Sequence, residues 1–272
     1  TPFYQLLGQP IRSANKAMGR VLPVNEIDEK KYGEIISMRR YANWSDTTSA
    51  EYLYVNDLMA NLVKKYAKKD FKYRVFVLNT YSPNAFALPG GVILVTKGLL
   101  STMQSESELV SVLAHELGHV ERGHCFDAVK YELLARKIKS EKLGELADFA
   151  TFLLLKHSYS KNQEDDADNY AYALLLESEY TPAASGAAFR SLQESLEGFY
   201  RQDNARVFRD YFSSHPPLAL RISKFENQAE NWKAQQTELK RYVGKRNLED
   251  RISFFETAFD SEWDSLSVEV EE

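Results

Sequence analysis

His115 and His119 stand four residues apart with Glu116 directly after the first, and these residue types at this spacing describe a reaction. On a helix, positions i and i+4 lie one above the other, so both imidazoles reach a single point and suit a tetrahedral zinc ion. A carboxylate beside the first imidazole can take the proton of a water activated by that ion, which is the chemistry of hydrolysis. Ser105 followed by Glu108 is a capping-box pattern and Gly123 is a stop, so the spacing predicts one helix over about 106–122. At about 100° per residue, Leu109, Val112, Leu113, Leu117 and Val120 form an apolar stripe with the two histidines on its border. Glu116 falls inside the stripe, where packing alone calls for Leu or Val and an acid is costly.

A catalytic zinc site wants a third protein ligand and an open position. The acids Glu164, Asp165, Asp166 and Asp168 offer candidates, and helical register separates them. Glu164 and Asp168 share the face continued by Ala167, Ala171, Leu174 and Leu175, whereas Asp165 and Asp166 point elsewhere and read as a solvated first turn. Glu164 is the expected third metal ligand, and Asp168 the acid that orients a ligand histidine through its second ring nitrogen. The metzincin extension of the histidine motif needs Gly at 122 and His at 125, but Arg122 and Cys125 stand there. His124 reads as a helix C-terminal residue meeting the dipole, and Cys125 as a small packed residue.

The elements that must position these groups follow from periodicity. A helix is expected over 49–68 and a strand over 73–79. Two further strands, Asn84 to Ala87 and Val92 to Val95, flank the Pro89-Gly90-Gly91 break, giving a small sheet with an edge. After Ser101 the pattern reads as helix throughout: 106–122, a stretch within 126–156, 162–178, 182–200, 217–240 and an amphipathic piece near 247–259. The class is α+β, mostly helical with a small mixed sheet. Residues 1–45 read as an N-terminal arm or short helices packed on the core, 46–228 as the catalytic domain that carries the zinc motif, and 229–272 as a C-terminal helical extension.

Asn84-Ala85-Phe86-Ala87-Leu88-Pro89-Gly90-Gly91, then His115-Glu116-Leu117-Gly118-His119, then Glu164-x-x-Ala167-Asp168, then His215-Pro216, occur in that order and resemble the HtpX-like and type-1 CAAX prenyl protease family of gluzincin metallopeptidases. The resemblance covers about residues 50–225. It implies a zincin-like fold and an endopeptidase with one zinc ion on His115, His119 and Glu164 and with Glu116 as general base. It also implies that the strand Asn84, Ala85, Phe86 and Ala87 borders the active-site helix and takes an extended peptide by strand addition. His215 would donate to the oxyanion or block the metal, or would simply start a helix before Pro216. Arg221 matches the family pattern too.

Composition bounds the partners. Among 272 residues, 34 basic against 39 acidic side chains give a net charge of -5, so no nucleic-acid partner is expected. One cysteine excludes an internal disulfide. The longest apolar runs fall far short of the roughly 18 residues of a spanning helix, so no transmembrane segment is expected, while a lipid or N-terminal anchor stays open. That absence disfavours prenylated substrates. Unfolded or misassembled polypeptides cut in protein quality control fit better, in the periplasm or on a membrane facing it, with the cytoplasm as the alternative compartment. The competing class is a zinc-stabilised chaperone-like or binding module with blocked or lost turnover.

Overall fold

The computed structural model describes residues 26–39, 44, 46–137, 143–154, 159–201, 218–235 and 239–266. In chain order these form α1 (Glu26–Arg39), α2 (Ala50–Tyr66), β1 (Arg74–Leu78), β2 (Ala85–Leu88), β3 (Val92–Thr96), α3 (Lys97–Thr102), α4 (Glu106–Glu121), α5 (His124–Lys137) and α6 (Leu143–Leu154). Then follow α7 (Lys161–Glu177), α8 (Ala184–Arg201), α9 (Leu218–Lys233), β4 (Leu239–Tyr242), α10 (Lys245–Asp250), a short 3-10 turn (Asp260–Glu262) and β5 (Trp263–Leu266). Most of the arm read over 1–45, and His215, lie outside the described residues.

The apolar, β-branched runs of β1 and β3 pair in parallel, with Phe76 opposite Leu94, and β2 returns antiparallel with Ala87 opposite Ile93. The order β1-β3-β2 makes the sheet mixed, puts the fully buried β3 in the middle and leaves β2 at an edge. The α+β class and the small mixed sheet are as expected. Helix α1 reaches this sheet through a close approach. A Cβ on Gly33 would stand 2.4 Å from the carbonyl oxygen of Gly90, which itself turns the chain between β2 and β3 at φ 72°.

Helix α4 starts at Ser105, whose hydroxyl accepts the Glu108 amide at 3.2 Å. The second arm of the expected capping box goes elsewhere, because the Glu108 carboxylate accepts the amide of Gln104 at 3.0 Å and the hydroxyl of Ser191 at 2.9 Å. Every residue from Glu106 to Val120 is buried, so the stripe read from periodicity is only part of a helix enclosed by α7, α8, α2 and β2. Such enclosure demands partners for its polar groups.

The expectation of a helical extension over 229–272 is corrected in part, since among its described residues only the end of α9 and the short α10 are α-helical. Helix α9 ends at Lys233, and β4 and β5 pair antiparallel with Arg241 opposite Asp264. The strand β4 is short and carries Lys240 and Arg241, so it shows no apolar alternation. Its position comes from partners distant in sequence, including the Tyr242 amide donated to Glu179 O at 2.8 Å. This segment supports the start of α4: the amides of Glu106 and Ser107 donate to the carbonyls of Gly244 and Val243 at 3.0 and 3.1 Å.

Glu106 itself is enclosed there and accepts from the hydroxyl of Tyr180 at 2.7 Å and the amide of Phe254 at 2.9 Å. Burial lifts its pKa from 4.5 to about 7, against the pull of those donors. A raised carboxyl pKa gives stability that is full below 4.5 and declines as pH rises through about 7. Glu106→Gln keeps an accepting carbonyl and removes the charge. Denaturant titrations at pH 5 and pH 8 should therefore show a wild-type loss on the order of 3 kcal/mol that the variant lacks. An equal pH response in both proteins would exclude Glu106 as the source.

Candidate metal centre

The two helices that meet at the centre are registered by local chemistry. Helix α7 begins at Ser160, where a full capping box with Gln163 places Glu164 in the first turn. Gly118 lets α7 approach α4, since a Cβ there would lie 3.2 Å from the Ala167 backbone and from the Tyr170 side chain. One turn of α4 separates His115 from His119, and their Nε2 atoms are 3.1 Å apart. The Glu164 carboxylate reaches both imidazoles, with Oε2 at 3.7 Å from His115 Nε2 and Oε1 at 3.5 Å from His119 Nε2. All three side chains are buried.

Donors bound about 2.0–2.1 Å from one ion at tetrahedral angles stand about 3.3 Å from each other. The observed spacings bracket that value. Two imidazoles and one carboxylate are also the donor set of a catalytic zinc site, so the residues present fit the ion. Glu116 is 1% exposed on the same helix and lines a cavity of about 20 Å3, the size of one water molecule, together with Ala85, Ser111, His115, Asp168 and Arg221. The edge strand thus reaches the site through Ala85. Asn84 and Ala87 beside it are buried and Phe86 is half-buried.

Asp168 stands one turn after Glu164, with Oδ1 2.9 Å from His115 Nδ1. It is held by a residue whose contacts sequence reasoning left open. Arg221 on α9 donates to both Asp168 oxygens, from Nε at 2.9 Å and from a terminal nitrogen at 2.6 Å. The same guanidinium lies 3.4 Å from Glu164 Oε2 and stacks 4.0 Å over the Phe189 ring. Burial alone would raise the Asp168 pKa, but the Arg221 charge and then His115 outweigh it and hold it down at about 2. Arg221 interrupts the buried face of Leu218, Ile222 and Phe225. That is the same kind of signal, a charge on a core face, that singled out Glu116.

Asp165 and Asp166 stay at the surface as expected, meeting Lys224 at 3.6 Å and Arg122 at 3.4 Å. His124 differs from expectation. Gly123 adopts φ 74° and ends the first helix, so His124 opens α5 instead of closing α4. Its ring is buried, with Nδ1 3.1 Å from His119 Nδ1 and Nε2 3.5 Å from Asp166. Burial depresses its pKa, with the Asp166 charge acting in the opposite direction. Cys125 is fully buried, packed with its sulfur 3.9 Å from the His119 carbonyl. The Tyr159 ring, which no sequence signal marked, stacks on His119 at 3.9 Å.

The model of Peptidase family M48 matches residues 49–229. A mitochondrial metalloendopeptidase of Schizosaccharomyces pombe is 27% identical over 180 residues, covering 64% of this chain and 52% of that protein. Metalloprotease LoiP of Escherichia coli is 29% identical over 170 residues, covering 57% of this chain and 62% of its own length. A protease HtpX homolog of Dictyoglomus turgidum is 25% identical over 259 residues, covering 78% and 81%. The chain therefore spans between half and two thirds of the first two of these relatives. No helix among the described residues is long and apolar enough to cross a membrane.

Proposed function

Because this chain belongs to peptidase family M48, we propose that it is a zinc-dependent endopeptidase that cuts unfolded or misassembled polypeptides. The observation that carries the reading is the convergence of His115, His119 and Glu164 donor atoms from two helices, 3.1 to 3.7 Å apart in a buried position. One zinc ion held by these three residues would supply a Lewis acid for the scissile carbonyl and for the attacking water.

The chain's own groups do the rest. Glu116 takes the proton of the attacking water and passes it to the leaving amine. Asp168 holds His115 by its Nδ1-H, so that Nε2 is the nitrogen turned towards Glu164, and Arg221 keeps Asp168 ionised and fixed. Strand β2, at the sheet edge with Ala85 on the same cavity as Glu116, offers backbone groups to an extended peptide. Backbone pairing reads little side-chain identity, which suits unfolded chains as substrates. His215 would stabilise the oxyanion or close off the metal. The compartment follows from the family resemblance alone: the periplasm or a membrane facing it, with the cytoplasm as the alternative.

The purified protein should contain close to one zinc per chain and should cleave a reduced, alkylated protein. Stripping with a chelator should stop cleavage and lower the melting temperature, and zinc should restore both. Zinc bound without any cleavage would favour the binding-module class. Cleavage indifferent to the chelator would sink the metal mechanism.

A further inference from the structure

The two histidines of the pair are backed in different ways. His115 faces a carboxylate through Nδ1, the usual arrangement for a ligand imidazole. His119 Nδ1 faces another imidazole, His124 Nδ1, at 3.1 Å. A neutral imidazole that offers Nε2 to a cation carries its proton on Nδ1, and there it can only donate. His124 Nδ1 must then accept, which leaves the His124 proton on Nε2. That nitrogen lies 3.5 Å from Asp166 Oδ2.

Resting on the reading of His115, His119 and Glu164 as metal ligands, we propose that His124 is a positioning residue for this centre. It accepts the Nδ1-H of His119 and, with Asp166 behind it, fixes the tautomer and rotation of the second ligand ring. Two neighbours make the arrangement specific. Tyr159 stacks flat on His119 at an interplanar angle of 22° and limits tilt, but a stacked ring can still flip by 180° about its Cβ–Cγ bond and exchange Nδ1 with a ring carbon. The contact from His124 removes that freedom. An apolar side chain would fill this buried position at a lower desolvation cost, so an imidazole there is explained by its acceptor nitrogen. The position comes from the chain path: Gly123 breaks α4 and swings the next residue back against His119.

The relay is the weaker of the two supports, because His124 is neutral where Asp168 is an anion, and the Asp166 side chain is 45% exposed. Leu and Asn are nearly isosteric, and only Asn can accept. His124→Leu should bind zinc about 10–100-fold more weakly than wild type, measured on the full chain by competition with a chromophoric chelator. His124→Asn should recover most of that loss, although Leu suits this buried position better in the metal-free protein. In the wild type with zinc, nitrogen-15 spectra should show His124 as the Nε2-H tautomer. Equal zinc affinity in His124→Leu and wild type, equal weakening in both variants, or an Nδ1-H tautomer for His124 would each overturn the relay. Those results leave the metal site standing, whereas a wild type that binds no zinc would remove the site and the relay together.

Discussion

Glu116→Gln should leave the protein folded and zinc-replete while lowering cleavage of an unfolded substrate by about 10²–10⁴-fold, the usual contribution of a positioned general base. The substitution preserves shape, and Glu116 is outside the cluster that could hold the ion, so metal content has no reason to change. Nor does stability suffer. A carboxylate that is 1% exposed on a core-facing stripe costs more to bury than an amide, so the variant should melt at or above the wild-type temperature. Turnover, zinc content and melting temperature measured together separate these effects. Undiminished turnover in a zinc-loaded variant would take Glu116 out of the mechanism.

Arg221→Met should have the largest effect on stability. The methionine keeps an apolar stem over Phe189 but leaves Asp168 buried beside Glu164 without its cation. Breaking one side of such a pair costs about 3–5 kcal/mol, which for a chain of this size lowers the melting temperature by on the order of 10 °C. The pH dependence has a defined sign. In the wild type, Asp168 has its pKa lowered from 3.8 to about 2, so its contribution is present above 3.8 and is lost as pH falls through about 2. The variant lacks that term, so the gap between the two proteins should narrow in acid. Adding Asp168→Asn to Arg221→Met should restore part of the stability at neutral pH, because the stranded charge is gone. Additive losses in the double variant would show that the two residues do not act as a pair.

What could be read without coordinates was what depends on local register. The pair His115 and His119, the inward Glu116, and the separation of Glu164 and Asp168 from Asp165 and Asp166 all follow from counting along a single helix, and the structure brings the three expected donors together. The mixed sheet was legible because the Pro89-Gly90-Gly91 break and the apolar runs around it are local signals too. Groups whose partners lie on other elements were not. Arg221 is 53 residues from Asp168 in the chain, and only the packing of α9 brings them together. His124 opens α5 because Gly123 redirects the chain, and periodicity is blind to chain direction. The strands β4 and β5 failed for the same reason, since four residues such as those of β4 are too few to set a period.

The family match stops at residue 229, yet the first two amides of the histidine-bearing helix rest on carbonyls of residues 243 and 244, and Phe254 donates to Glu106. Main-chain oxygens look alike whatever residue carries them. A recombinant fragment trimmed to the matched boundary would therefore discard the footing on which its reactive helix stands.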